Sequence, residues 1–347
     1  MTHWSPDRLR PYLELSAQRV PDVAASIAWS RGRECWSGTL GCGLTPLPAD
    51  SRFPIWSITK TLTTVVVLRL VAAGRIELDS HIASWLPSVP HGDAISIRQC
   101  LQHTSGWSDY GLLPEYLAAV RRNDVPWSFS QFLQQTRADK LLFEPGASWS
   151  YSNIGYMVLR MLIERVCEAS FTDILKNEVC EPLGLVRTSV IETLGDFLGL
   201  TVGYSLDLSS NGRPVDVRSR YDLGWAPPGV AAATASEVVR FYDGLFSGQL
   251  VPAHLLSEMC RVIPVGRSHP TFVSPNYGLG LMADPDNGLG RVYGHNGGGP
   301  GYAASAFHVQ PPGGQPVTVA VLTNTENYQQ AELMALKVAE ELIMDQS

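Results

Sequence analysis

The sequence has no run of lysine and arginine, no CxxC pair and no apolar stretch long enough to cross a bilayer. Each absence removes a class of function. With 26 basic against 33 acidic side chains and a formal charge of −7, the chain carries no electrostatic footprint for nucleic acid. The six cysteines, at 35, 42, 100, 167, 180 and 260, stand far apart, and no histidine follows them at zinc-site spacing. No metal is expected, and in a reducing compartment they read as free, mostly buried thiols. The most apolar stretch, "TLTTVVVLRLVAAG", is interrupted by Arg69 and is too short for a membrane helix. The start, "MTHWSPDRLRPYLELSAQRVPD", has neither a basic n-region nor an apolar h-region, so the expectation is a cytoplasmic protein. No G-x-S-x-G occurs, which sets aside an α/β-hydrolase elbow. The stretch "YGHNGGGPGY" lacks the ending of a phosphate loop and does not fit G-x-G-x-x-G, and no cofactor is expected. "ADPDNGLG" has His295 where a calcium loop needs its twelfth-position glutamate, so it reads as a surface turn.

What is present is an ordinary globular composition, 45% hydrophobic and 17% charged over 347 residues, enough for one large core or two smaller ones. A helix is predicted over about Pro6 to Arg19. "DVAASIAWSRGRECWSGTLGCG" reads as a β-hairpin turning at Arg31-Gly32. Near the other end "RVYGH", "YAASAFHV" and "PVTVAVLTN" read as three short antiparallel strands, followed by an amphipathic helix, "YQQAELMALKVAEELIMD". The middle of the chain is helical in pattern. The fold class is therefore mixed α/β: an antiparallel sheet built from both chain ends, flanked by helices, with an inserted, mainly helical lobe. The expected division is residues 1–75 plus 226–347 for the sheet region and 76–225 for the helical lobe, with the active site between them.

Three stretches carry chemistry. In "FPIWSITKTLTTVVVLRL", Ser57 opens a helix that is apolar nearly all round, hence a buried one. Lys60 falls three positions later on the same face. A lysine there has lost hydration and sits near the positive end of the helix dipole, and both effects lower its pKa. Such a lysine can activate a serine hydroxyl without histidine. In "SWSYSNIGYMVLRML", Tyr151, Ser152 and Asn153 form the turn before another apolar helix. A tyrosine hydroxyl there can relay a proton, and Asn153 can hold Lys60 and donate to a substrate carbonyl. Third is His295-Asn296-Gly297, ending a strand. Taken singly, each has a plain structural reading: an N-cap serine with a snorkelling lysine, an asparagine N-cap beside a packed tyrosine, and a glycine-rich hairpin.

Together, Ser-x-x-Lys, Tyr-x-Asn and a polar residue two before a strand glycine resemble the signature of the penicillin-recognising active-site serine enzymes. The chain resembles the class C β-lactamase-like serine hydrolases, a group of β-lactamases, DD-carboxypeptidases, D-aminopeptidases, esterases and acyltransferases. The resemblance runs from about Val23 to the terminal helix. It includes Leu101-Gln102-His103-Thr104-Ser105-Gly106, Glu144-Pro145-Gly146 and a "YGLGL" strand from Tyr277 to Leu281. It implies Ser57 as the acylated nucleophile, Lys60 and Tyr151 as its proton-handling partners, either of which could be the base, and His295 in the place of the family's strand lysine. It implies Asn153 on the carbonyl side of the substrate, Gly297 giving the substrate clearance, and an oxyanion hole from the N–H groups of Ser57 and Gly298. His103 is implied to be structural.

This sequence departs from the DD-carboxypeptidase pattern at two places. Gly298 stands where those members carry a carboxylate-binding threonine, and "MADPD" (Met282 to Asp286) stands where they carry an arginine. The resemblance then implies a neutral ester or amide of a small molecule or short peptide, with D-amino acid derivatives among the candidates. The alternative is acyl transfer to an alcohol or amine. DD-carboxypeptidase or β-lactamase activity fits less well, and a sensor that acylates once fits least. Trp56, Trp149 and Trp225 are candidates to line an apolar substrate pocket, with Trp107 and Tyr302 also near the motifs.

Overall fold

Alternation along the strands decides the architecture. The computed structural model of the chain describes residues 4–43 and 46–345. Its main sheet has eight strands. They are β1 (Ala24–Arg31), β2 (Glu34–Gly41), β3 (Ile263–Pro264), β4 (Asn276–Tyr277), β5 (Met282–Asn287), β6 (Gly290–Gly299), β7 (Tyr302–Gln310) and β8 (Val317–Thr323). The order across the sheet is β2-β1-β8-β7-β6-β5-β4-β3, antiparallel throughout. The two chain ends thus meet at β1 and β8, with Ala25 opposite Thr323 and Arg31 opposite Val317.

Both faces of the central strands are buried, and they are not alike. Ile27, Trp29, Phe307, Val309, Val319 and Val321 point to one side and pack with Leu13, Met334, Val338 and Leu342 of the terminal helices. Ala28, Ala304, Ala306 and Ala320 point to the other side and join the larger core. A strand alternates faces with period two, so large residues fill one layer and small ones let helices approach in the other. The closing helix Tyr328–Met344 covers the first face. Helix Ala235–Phe246 covers the second.

Helix Thr59–Ala72 runs through the larger core, with eleven of its fourteen residues buried. Its threonines need internal partners there. Thr63 and Thr64 donate to the carbonyls of Thr59 and Lys60, one turn back. Thr61 donates to Gly280 O at 2.8 Å, which ties the helix to the loop between β4 and β5. Helix Asn153–Cys167 packs beside it.

Some expectations shift in detail. The N-terminal helix begins as a 3₁₀ turn, Pro6–Leu9, before the α-helix Arg10–Ala17. The hairpin turns at Gly32-Arg33, one residue later than expected, because Arg31 still pairs with Glu34 and Gly32 supplies the positive φ of +60°. "YGLGL" is not a strand: only Tyr277 belongs to one, and Gly280 turns the chain at φ +63°. "ADPDNGLG" is not a surface turn. It lies in β5 and the turn to β6, and buried Asp284 accepts the N–H groups of Val273 and Ser274. Only Cys100 and Cys180 of the six thiols are buried, and none is in a disulfide.

Candidate active site

Three segments meet where β6 passes the start of helix Thr59–Ala72. Ser57 lies in the 3₁₀ turn Trp56–Ile58 that leads into this helix. Trp56, just before it, takes a φ of +45°, a conformation rare for a bulky residue and one that functional sites tend to hold. Ser57 Oγ receives a hydrogen bond from Tyr151 Oη at 2.8 Å and lies 3.1 Å from Lys60 Nζ. Lys60 Nζ also donates to Asn153 Oδ1 at 2.7 Å. Lys60 is 4% exposed. Burial pulls its pKa down to about 7, and the Asp109 carboxylate opposes that fall. Burial moves the Tyr151 phenol the other way, well above its ordinary range, against the opposing bond to Ser57. In this pair the amine is the group that can be neutral near pH 7, and the phenol stays protonated.

Asp109 was not singled out in the sequence, yet it organises this network. Its Oδ1 accepts the N–H of Asn153 at 2.8 Å, satisfying an open donor at the first turn of helix Asn153–Cys167. Its Oδ2 accepts Asn153 Nδ2 at 3.3 Å and the N–H of Gly111 at 3.3 Å. Because Nδ2 is given to a carboxylate, the amide must present its oxygen to Lys60. The sequence signal was an acidic residue three after the "HTSG" turn, too short a pattern to interpret alone. His103 of that turn is buried at φ +60°, and its Nδ1 accepts the N–H of Ser152. Its ring lies 4.2 Å from that of Tyr151, so the turn braces the tyrosine.

His295 sits behind this group and not in the cavity. It is 2% exposed, and its ring centroid is 6.5 Å from that of Tyr151. Nδ1 faces the carbonyl of Asn296, which can only accept, so Nδ1 carries the proton. Nε2 then accepts from Tyr277 Oη at 2.9 Å. Burial lowers the imidazole pKa to about 3, so His295 is neutral across the working range. The strand therefore does not supply the positive charge a lysine would.

The three glycines at the end of β6 each lie against a different neighbour. A Cβ on Gly297 would sit 2.1 Å from Ile55 O; one on Gly298 would sit 2.2 Å from a ring carbon of Tyr328; one on Gly299 would sit 2.5 Å from the ring of Trp56. The room where a side chain at 297 would lie is thus taken by the backbone before Ser57. The hydrogen of Gly298 faces the Tyr328 ring.

A cavity of about 240 Å³ opens over Ser57. Lys60, Asn153 and Gly298 line it, with Trp56, Tyr116 and Tyr221 on the apolar side and Asp207, Glu326 and Tyr328 toward the rim. Of the tryptophans, only Trp56 reaches it. Trp225 is fully buried one layer back, where its indole N–H donates to Asp124 O and its ring meets Tyr116 edge-on at 5.5 Å. Trp149 packs on His103 and Tyr277 away from the cavity. Trp107 is fully buried, and so is Tyr302, whose hydroxyl donates to Thr201 O. Among the described residues no cluster of three metal-ligating side chains occurs, and no helix is long and apolar enough to cross a membrane.

A family model described as Beta-lactamase matches residues 14–342. Penicillin-binding protein 4* of Bacillus subtilis is 26% identical over 321 residues, covering 87% of this chain and 67% of that protein. Penicillin-binding protein 4 of Amycolatopsis lactamdurans is 28% identical over 340 residues, covering 93% of this chain and 84% of that one. Among solved structures, a D-stereospecific amidohydrolase from Streptomyces sp. superposes with a TM-score of 0.79 at 30% identity, over 96% of this chain and 98% of its own. The penicillin-binding protein homologue of Pyrococcus abyssi, an octamer, shares the fold at a TM-score of 0.81 and 22% identity, over 99% of this chain and 78% of its own. The chain belongs to the beta-lactamase family and is a serine hydrolase.

Proposed function

We propose that this enzyme cleaves a neutral amide or ester, with D-aminoacyl amides as the first class to test, through an acyl-enzyme on Ser57. The observation that carries the reading is the Ser57 hydroxyl held between Tyr151 and a buried Lys60 whose pKa burial pulls down to about 7. The D-amino acid class rests on the 30% identical Streptomyces amidohydrolase.

The chemistry runs in two halves. Neutral Lys60 accepts the Ser57 proton as Oγ attacks the substrate carbonyl carbon. The N–H groups of Ser57 and Gly298 receive the developing oxyanion, each donor worth about 3 kcal/mol in a water-poor site. As the carbonyl re-forms, the C–N or C–O bond breaks. The proton on Lys60 passes through Tyr151 to the leaving nitrogen or oxygen. Water then attacks the Ser57 ester, giving its proton to the same pair, and Ser57 leaves with a proton restored. Asn153 keeps Lys60 directed at Ser57, and His295, fixed and neutral, holds the end of β6. Transfer to an alcohol or amine would use the same first half. Exposed Asp207 and half-exposed Tyr328 at the rim give water a path to the ester, which favours hydrolysis.

The test is turnover of D- and L-amino acid amides and p-nitrophenyl esters, with and without an added amine acceptor. Free acid as the sole product supports hydrolysis. An amide of the acceptor as the main product would replace it with transfer, and an active Ser57→Ala variant would remove the acyl-enzyme reading.

A further inference from the structure

The cavity over Ser57 opens to one side of the nucleophile. Lys60, Asn153 and Gly298 line it. Tyr151 does not, although it is only partly buried and its Oη is 2.8 Å from Ser57 Oγ. The phenol therefore meets the nucleophile from outside the cavity. In the first half of the reaction the carbonyl carbon bonds to Ser57 Oγ, its bond to the leaving oxygen or nitrogen breaks, and the proton reaches that atom through Tyr151. The leaving group then lies on the Tyr151 side. What remains for the cavity is the acyl group.

The wall that group would meet is apolar. Helix Pro114–Arg122 supplies Tyr116, Leu117 and Val120, and Tyr221, Ala226 and Val230 complete it. The polar atoms beside them are engaged within the protein. Tyr116 Oη donates to Trp225 O at 3.3 Å and lies 3.2 Å from Tyr221 Oη. Thr63 Oγ1 donates to Thr59 O at 3.0 Å, and Thr59 Oγ1 accepts the N–H of Ala231 at 3.0 Å. Charges other than Lys60 stand at the rim. Arg121 and Asp207 are exposed there, and half-buried Glu326 accepts the N–H groups of Leu206, Asp207 and Gly301. An apolar cavity of about 150 Å³ is enough for one benzene ring. The 240 Å³ here leaves room for a ring and a short spacer.

We infer that this cavity is the acyl pocket and that it selects apolar acyl groups of about six to eight carbons, such as hexanoyl or phenylacetyl, while the leaving group, on the Tyr151 side, is weakly selected. An aminoacyl donor would place an apolar side chain there. This rests on the acyl-enzyme reading above and deepens it by naming which half of the substrate the enzyme chooses. Ala226 and Leu117, both half-buried on the wall and outside the proton-handling group, set the length of chain that fits.

The experiment uses the whole enzyme and two isomeric esters, ethyl hexanoate and hexyl acetate, which differ in the side of the ester that carries the long chain. Each buried methylene is worth about fourfold. The expected wild-type kcat/KM is at least about tenfold higher for ethyl hexanoate. Ala226→Leu should cut that ratio at least about fivefold and leave turnover of p-nitrophenyl acetate, whose acyl group is too short to reach the wall, within about twofold. Leu117→Ala should raise kcat/KM for ethyl decanoate relative to ethyl hexanoate by at least about threefold. Ser57 labelling by a fluorophosphonate, read by intact mass, accompanies each measurement. A wild-type ratio below about two, or no turnover of ethyl hexanoate, with Ser57 still labelled overturns the acyl-pocket assignment alone. Chain-length preferences unchanged in both variants overturn this wall as the selecting surface. Failure of the wild type to label at Ser57 overturns the acyl-enzyme reading and this inference with it.

Discussion

Lys60 Nζ lies 2.7 Å from Asn153 Oδ1, and the orientation of that amide is fixed from behind by Asp109. The site is therefore a line of four groups, carboxylate to amide to amine to hydroxyl, and its end member controls both geometry and charge. Asp109→Asn removes the negative charge that favours the lysinium and frees the Asn153 amide to rotate. The Lys60 pKa should fall further, moving the acid limb of the kcat/KM profile to lower pH, and kcat should drop by up to about 100-fold from misplacement. A pH-rate profile with an unmoved midpoint would show that Asp109 acts only as a helix cap.

Wild-type kcat/KM should rise with pH through a midpoint near 7, where Lys60 loses its proton. His295, with a pKa of about 3, contributes no step to this range. His295→Gln should lower the rate without moving the midpoint. A displaced midpoint would place the histidine in the titrating network.

The same lysine makes a stability prediction. Its folded pKa of about 7 lies below the value of 10.5 it has when free, so burying the charged form costs stability. The sign follows from proton counts: between pH 7 and 10 the unfolded chain binds the extra proton, so stability rises with pH across that window. The cost is complete below about pH 7 and amounts to a few kcal/mol. Lys60→Met should raise the melting temperature at pH 6, and the gain should shrink toward pH 10. A constant gain at all pH values would attribute it to packing.

Gly297→Ala should be costly because of the backbone it lies against. The added methyl would lie 2.1 Å from Ile55 O and 3.2 Å from Ser57 N, so the turn carrying the nucleophile must move. The expected result is a loss of about 1–3 kcal/mol in stability and a large loss in kcat, with KM less affected. Thermal unfolding and steady-state kinetics on the same preparation check both.

The sheet and the closing helix were legible because the strands of both ends alternate or are uniformly apolar and are separated by Gly and Pro turns. The three motifs were legible as residues, since Ser57, Lys60, Tyr151 and Asn153 sit at spacings that chemistry restricts. What stood between them was not. Asp109 and Tyr328 reach the site through tertiary contacts across 44 and 30 residues of chain, to Asn153 and Gly298, and leave no periodic trace. The "GLG" after Tyr277 looked like strand because it is apolar, but the positive φ of Gly280 makes it a corner. Trp225 could not be separated from a pocket residue by sequence, because an aromatic wall and an aromatic second layer have the same composition.

The central claim is a covalent acyl-enzyme on Ser57, and intact-protein mass measured during turnover of a slow ester tests it most directly. The account predicts a mass increase equal to the acyl group, mapped to the peptide containing Ser57, that decays as product acid appears and is absent from Ser57→Ala. An adduct of equal yield on the Ala variant, or turnover by that variant at the wild-type rate, would contradict it.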